Sequence, residues 1–572
     1  MAAVLLTLLG LCSQTSAELV VEDSFLDLAC EGAFSPVLVQ LRNDGNEPFE
    51  GPVTLARVPT SRYEAVPPPV VREVYLSPGE TRWVTFTPFV GGPSPDYCVR
   101  WSDGDVALPT VKARSKRVVF VGGEYSRANL PVVRDRFLPT RATALDGVRV
   151  IAVSEAATLQ PEQEDALRDW VFAGGTLVRG ASSDNRGGTL AFSDRPEAAS
   201  AFGRGLVLRS GEDPASLTRE SIKRAVRLSG RVDTVDLAIE EAGRLGRDRP
   251  LVFNADAEMM SAVASAMRPR GLTYGLPLIL AAYVAGVWLV GRRARRKQWP
   301  GWLAASVTGL LSAAGVWAAE ATSPLAGDAG TALGTVAVAE VVRPGDDETP
   351  PVCGVRQWAV FRDRDGGVRT IRPDAEGGLV SLSNAATDAR VADGPTQTLA
   401  VTVPPRSNVA VRMRGLRPVE PPDVTIDSFR SLNKLLLTGS VRDGRLRFRG
   451  GLAQYRNQVV RLTPYLRATG GAVSLTRHLG NPSLRWQGSW FRPYEQAVVK
   501  ERLTDAAGRA LLLSYAPAGR IEPFEMTLPP GTLRLVLIEE LPPEADLLRD
   551  IPGEDRIVAW VVDLKVSPRR AD

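Results

Sequence analysis

The residues able to do nucleophilic or metal chemistry are few and far apart. Across 572 residues there is one histidine, His478, and there are four cysteines, Cys12, Cys30, Cys98 and Cys353. Ser–His and Cys–His catalysis needs an imidazole to take the proton of the attacking group, so any such pair has to use His478. It lies in Thr476-Arg477-His478-Leu479 with no second histidine and no carboxylate at a fixed spacing, which reads as a surface or hydrogen-bonded imidazole. Asp363-Arg364-Asp365-Gly366-Gly367 opens like a calcium loop but lacks the third carboxylate and the closing glutamate. A polar hairpin turn is the expectation there. Trp486, Trp490, Phe491 and Tyr494, interleaved with Arg485 and Arg492, could face a sugar or a partner; packing of a strand and its loop is the preferred reading. No residue is assigned a catalytic, cofactor-binding or metal-ligating role, and no cofactor is expected.

The cysteines point to a compartment. Residues 1–17, MAAVLLTLLGLCSQTSA, run apolar from Ala2 to Cys12 and then small to Ala17, the pattern of a cleaved secretory signal peptide without its usual leading cation. Lipidation at Cys12 and a buried first strand are the alternatives. In an oxidising compartment Cys30 and Cys98 are expected to pair, which would stabilise their domain by ~4 kcal/mol in the chain-entropy model. Two separately buried thiols are the other reading. Cys353 then has no partner and reads as a small buried hydrophobe.

Two segments, Tyr274–Gly291 and Trp302–Ala319, are each 18 residues without a charge, near the lower limit for a spanning helix. Between them stand Arg292, Arg293, Arg295, Arg296 and Lys297. Cations in a short loop are held on the cytoplasmic side, so these five read as topology determinants of a cytoplasmic loop, 292–301. The expectation is a two-helix transmembrane hairpin in a plasma (inner) membrane, with both flanking segments extracytoplasmic. A buried helical hairpin is the bland alternative. The formal charge of the chain is +4, and removing the five cations leaves −1, so nothing in the charge supports a nucleic-acid partner. The expected partners are the membrane, integrally, and an envelope protein of unknown identity.

Residues 18–113 alternate as strands do. Val37, Val39 and Leu41 lead to Asn43-Asp44-Gly45, and Glu73–Leu76 is joined to Arg82–Phe86 by Ser77-Pro78-Gly79-Glu80. This form resembles the immunoglobulin-like sandwiches of bacterial envelope proteins. From residue 114 the pattern changes. Arg117–Val121 ends in Gly122-Gly123, and Gly147–Val153 is followed by a helix opened by Pro161 and closed by Gly174, then by Thr176–Gly180. Strand, helix and strand in that order imply a parallel, doubly wound sheet.

The run LDGVRVIAVSEAATLQPEQEDALRDWVFAGGTLVRG, with Gly203-Arg204-Gly205 after it, is similar to the class I glutamine amidotransferase-like (GATase1-like) domain of bacterial membrane proteins. Its strongest piece is Q-x-x-x-L-x-x-W-V-x-x-G-G-x-L-V. The resemblance implies a flavodoxin-like α/β domain over 114–270. A working amidotransferase needs a cysteine nucleophile and a histidine base, and this chain has no Cys between Cys98 and Cys353 and no His before His478. After Gly180 come only Ala181-Ser182-Ser183-Asp184, so the site is expected to be degenerate.

Residues 320–572 read as one or two β-sandwich domains with a boundary near 420, and Asp443-Gly444 as the turn of a hairpin. The expected fold class is multidomain α/β plus all-β: Ig-like sandwich, flavodoxin-like domain, transmembrane hairpin and C-terminal sandwich region. The expected function is a non-catalytic binding or scaffold component of the cell envelope. An atypical hydrolase using serines near Ser182 or carboxylates at the sheet edge, and an accessory subunit of a transport complex, are the rivals.

Overall fold

The computed structural model describes residues 18–59, 66–91, 95–110, 117–123, 131–180, 199–202, 205–210, 213–216, 263, 275–297, 300, 303, 306–310, 312, 332–343, 350–363, 366–382, 388–405, 407–431, 435–442, 448–455, 458–469, 472–477, 532–551 and 556–565. Strands predominate among them, and buried and open side chains alternate along many of these strands as a pleat requires. In Phe49–Val58 the chain buries Val53 and Leu55, and in Thr398–Val403 it buries Leu399, Val401 and Val403.

Leu19–Phe25, Val37–Asn43 and Thr81–Phe86 make an antiparallel three-stranded sheet. It faces a second sheet containing Phe49–Val58, Val70–Leu76, Asp96–Trp101 and Gly104–Ala107, and Val37, Val39 and Leu41 share a core with Val53, Leu55 and Val74. The Ser77–Glu80 turn does not close a hairpin, because Val70–Leu76 and Thr81–Phe86 lie in different sheets. Gly79, at φ +72°, carries the chain from one sheet to the other, and its N–H donates to Asn43 O at 2.8 Å. The Asn43 amide in turn donates to the carbonyls of Glu47 and Leu76 at 2.7 and 3.2 Å.

The second sheet recruits distant chain. Val391 and Ala392 pair in parallel with Val70 and Val71, and Ala389–Ala392, Thr398–Val403 and Gly367–Ile371 extend the sheet to seven strands. One hydrophobic core therefore runs from Leu19 to Trp560. The largest sheet has eleven strands, with Ala332–Arg343 between antiparallel Val352–Asp363 and parallel Arg556–Lys565. Two turns read from the sequence as hairpins are crossovers instead. Val352–Asp363 belongs to the eleven-stranded sheet and Gly367–Ile371 to the seven-stranded one. Leu435–Arg442 pairs with Asp423–Ser431 and Ala472–Arg477, while Phe448–Tyr455 pairs with Gln458–Thr469 and Thr532–Glu540. Turn chemistry specifies that the chain bends; which sheet edge the next strand reaches depends on the partners available.

The expected fold class is corrected. The chain is mostly β, and a flavodoxin-like domain is not what forms. A six-stranded sheet does assemble in the order Val132–Val133, Arg117–Val121, Val148–Val153, Thr176–Gly180, Gly205–Ser210, Ala199–Phe202. However, the core on one of its faces combines Leu167, Trp170 and Val171 of the helix Pro161–Phe172 with Leu28 and Leu38, and Phe25 and Trp83 pack against it. N-terminal β residues thus occupy space that a doubly wound domain gives to its own helices.

The integral two-span assignment is also corrected: among the described residues no helix is long and apolar enough to cross a membrane. A helix forms over Gly275–Lys297, and Arg292, Arg293, Arg295, Arg296 and Lys297 lie in its last turns, not in a loop. Arginine and lysine are good helix formers, and cations complement the negative carboxyl end of a helix. The uncharged part, Gly275 to Gly291, is only 17 residues, about 25 Å at 1.5 Å per residue against a hydrocarbon thickness of ~30 Å. Most of Trp302–Ala319 lies outside the described residues.

A polar cluster locks the junction between the two ends of the chain. Gln397, fully buried, donates from Nε2 to Thr87 O at 2.9 Å and to Asp393 Oδ1 at 3.3 Å, and its Oε1 accepts the Val380 N–H at 3.1 Å. Asp393 Oδ2 accepts the Thr87 N–H at 3.2 Å, and Arg141 Nη1 stands 3.9 Å from Oδ1. Gln397→Ala is expected to strand Thr87 O and the Val380 N–H, costing about 2–4 kcal/mol in urea unfolding. Burial, opposed by Arg141 and Arg72, raises the Asp393 pKa above its ordinary value. The folded state therefore holds a proton that the unfolded chain releases near pH ~3.9. This group's stabilisation is full below that value and is lost as pH rises through the folded pKa. The difference in unfolding free energy between the parent chain and Asp393→Asn should fall accordingly from acid to neutral pH; a flat difference contradicts the assignment.

Candidate functional site

The first five strands of the six-stranded sheet run parallel, with Arg117–Val121 between Val132–Val133 and Val148–Val153. The chain leaves Arg117–Val121 for one neighbour and then crosses to the other. Its carboxyl end is thus the point where connections diverge, the usual ligand position in open parallel sheets. Gly122 and Gly123 stand there with φ +84° and +82°. A Cβ on Gly122 would fall 2.6 Å from Ala157 Cβ and 3.3 Å from Ser154 Cβ, so glycine is what lets the 154–157 loop close over the strand end. The loop is fixed by Ser154 N–H to Val121 O at 2.9 Å and by Gly122 N–H to Val133 O at 3.1 Å.

Ser154 Oγ donates to Asp213 Oδ2 at 3.3 Å and accepts the Ala156 N–H at 3.2 Å, while Asp213 Oδ1 accepts the Ala215 N–H at 2.9 Å. This is a hydroxyl pointed at a carboxylate, the arrangement that orients a serine. However, Ser154 is only 5% exposed, and a nucleophile has to reach its substrate. The pair joins the 154–157 loop to the 213–216 turn. Next to it, Arg179 lies in register with Arg209 and Gly180 with Ser210, which sets two guanidinium-bearing side chains on one face at the strand ends.

The motif that carries the amidotransferase-like resemblance is absorbed by packing. Gln163 Nε2 donates to Asp135 O at 2.9 Å and Leu138 O at 2.8 Å, and its Oε1 accepts the Gln160 N–H at 2.8 Å, closing a capping box at the helix start. Leu167 and Val171 are fully buried. Trp170 Nε1 donates to Val148 O at 3.1 Å, tying the helix to the neighbouring strand. Gly174 ends the helix at φ +120°, and a Cβ on Gly175 would overlap the Trp170 indole. Leu177 and Val178 are then core residues of the next strand. Each position in the motif has a task in holding strand, helix and strand together.

Other residues singled out in the sequence fall elsewhere. Cys30 and Cys98 are buried thiols with no disulfide between them. Cys98 lies between Tyr97 and Val99, which face the common core, so it points away from that core, with Sγ 3.4 Å from Asp105 Oδ2. Cys30 packs at Gly147, ahead of the parallel strand Val148–Val153, where a Cβ on the glycine would overlap it. The two thiols belong to different layers. Cys353 Sγ donates to Val419 O at 3.5 Å, and burial followed by the Glu340 charge pushes its pKa up to about 12. Cys12, Ser182, Ser183, His478, Trp486, Trp490, Phe491 and Tyr494 lie outside the described residues. Among the described residues no group of three or more His, Cys, Asp or Glu could hold a metal ion. Ser154 and Asp213 were not singled out in the sequence. Ser154 had a signal, as the first polar residue after an apolar strand; Asp213 had none.

No family model matches the chain, and no curated protein does. Among solved structures it is similar to a cycloisomaltooligosaccharide glucanotransferase of Paenibacillus sp. complexed with cycloisomaltoheptaose. That likeness has 9% identity over 81% of this chain and 98% of the other, with a TM-score of 0.17, too low to carry an argument. The motif's structural role can be tested directly. Gly175→Ala is expected to force the Trp170 ring from its place and destabilise the chain by about 1–3 kcal/mol, read as a lower urea midpoint with altered near-ultraviolet circular dichroism.

Proposed function

We propose that the chain is a non-catalytic binding or scaffold component of the bacterial cell envelope, with residues 114–270 a catalytically degenerate segment of the class I glutamine amidotransferase-like kind. The observation that carries the reading is that the whole shared motif is committed to the fold, while the serine at the divergence point is buried and hydrogen-bonded to Asp213. The absence of Cys and His from 114–270 agrees with it, since an amidotransferase uses a cysteine nucleophile and a histidine base. The apolar and then small residues of 1–17 support export. The carboxyl edge of a parallel sheet is a common seat for a bound group, and the half-buried Arg209 stands there in register with the buried Arg179.

An atypical hydrolase is the second reading, favoured by the 3.3 Å Ser154–Asp213 hydrogen bond alone. Purified full-length protein is expected to release no ammonia from glutamine and to cleave p-nitrophenyl acetate no faster than buffer. Turnover that Ser154→Ala abolishes would replace the scaffold reading with the hydrolase. Cell fractionation should recover the chain with the envelope, and a purely cytosolic distribution would overturn the location.

A further inference from the structure

A cleft of about 620 Å³ lies between the loop 372–376, the end of the strand Ser407–Pro418 and Asp550. Its size falls within the roughly 300–1,000 Å³ usual for small-molecule sites, and its residues are not those of the parallel-sheet edge. Arg417 on its wall is held firmly. Nε donates to Glu544 O at 2.9 Å, and Nη1 donates to Asp374 O at 2.6 Å and meets Asp374 Oδ2 at 2.7 Å. These bonds use three of the five N–H groups of a guanidinium and leave the two on Nη2. A cation fixed in this way loses little entropy when it takes a further acceptor.

The charges of the lining do not cancel locally. Arg417 is matched by Asp374, and Glu376 stands 3.7 Å from Arg343, which is itself bonded through Nε to both Asp169 oxygens at 2.9 Å. Arg372 and Asp550 are then the cation and the anion of the cleft that no ion pair among the described residues engages. A simple anion entering would meet Asp374, Glu376 and Asp550, and a simple cation would meet Arg372 and Arg417. A molecule carrying both charges meets neither penalty. Buried Pro373 and Leu416 add apolar wall between the charged positions.

We propose that this cleft binds a short zwitterionic peptide, its carboxylate against Arg372 and the free edge of Arg417, and its ammonium against Asp550. The assignment is independent of the reading of residues 114–270. The test is titration calorimetry of the full chain with trialanine, N-acetyl-trialanine and trialanine amide. Trialanine is expected to bind, and each blocked form to bind about tenfold more weakly. Arg372→Gln should reduce the preference for the free carboxylate over the amide, with Arg417 keeping part of it, and leave the preference for the free amine. Asp550→Asn should do the reverse. Both side chains are at the surface, so unchanged circular dichroism of the variants is expected alongside. No heat from trialanine at millimolar concentration, equal affinity for the three peptides, or preferences unmoved by both substitutions would overturn the proposal.

Discussion

A buried amide and a two-residue parallel pairing hold the ends of this chain in one core. Gln397 is fully buried and reaches Thr87 O, Asp393 and the Val380 N–H, while its own N–H donates to Gly378 O at 2.8 Å. A desolvated amide is costly unless its groups are bonded, so this one position fixes the N-terminal sandwich, the seven-stranded sheet and the edge of the eleven-stranded sheet relative to one another. The same bonds cover outward backbone groups of the edge strand Glu376–Leu382, as does Thr143 Oγ1 on Gly377 O at 3.2 Å. An edge without such cover would be open to another strand. Val391 and Ala392 beside Val70 and Val71 then complete the seven-stranded sheet.

Ion pairs attach the parallel sheet to this frame. Asp169 on the helix Pro161–Phe172 binds Arg343, and Asp146, just before Val148–Val153, binds Arg414. The Arg414 and Asp146 side chains are 17% and 23% exposed, and burial pushes the Arg414 pKa down. A largely buried ion pair adds little net stability over an apolar pair, but removing one partner leaves the other stranded, so such a pair specifies an arrangement. The parallel sheet is consequently clamped where its helix and its strand starts meet the C-terminal strands, and its carboxyl edge is built by separate residues. The helix Gly275–Lys297 stands outside this core, with Val284, Trp288 and Leu289 each more than half exposed and the Arg292 guanidinium 5.2 Å from the Trp288 ring centroid.

Much of the local structure was legible in the residues. The strand at Val37–Asn43, the helix opened by Pro161 and closed by Gly174, and the parallel order of Val148–Val153 and Thr176–Gly180 all follow from periodicity and punctuation. Of the candidate site, Gly122-Gly123 at a strand end was visible, and the Ser154–Asp213 contact was not, because 59 residues separate its members. The hairpins expected at Asp363–Gly367 and at Asp443-Gly444 failed because a turn signal carries no information about the sheet on either side. The membrane hairpin failed at the cations: a run of arginines reads as a loop between spans, but in the chain it continues a helix whose uncharged part is short.

The amino-acid sequence by itself determined the strands Val37–Asn43, Val148–Val153 and Thr176–Gly180 and the helix Pro161–Phe172, the capping and glycine chemistry of the Gln163–Val178 motif, and the absence of Cys and His from 114–270. These rest on interactions between residues near one another in the chain, where spacing alone sets geometry. Only the tertiary structure decided that residues 18–110 share a core with 332–565, that Cys30 and Cys98 belong to different layers, and that N-terminal side chains cover a face of the parallel sheet. Those outcomes depend on which buried faces and sheet edges meet, and a strand's own pattern shows that it has a face to bury without naming the face that will cover it.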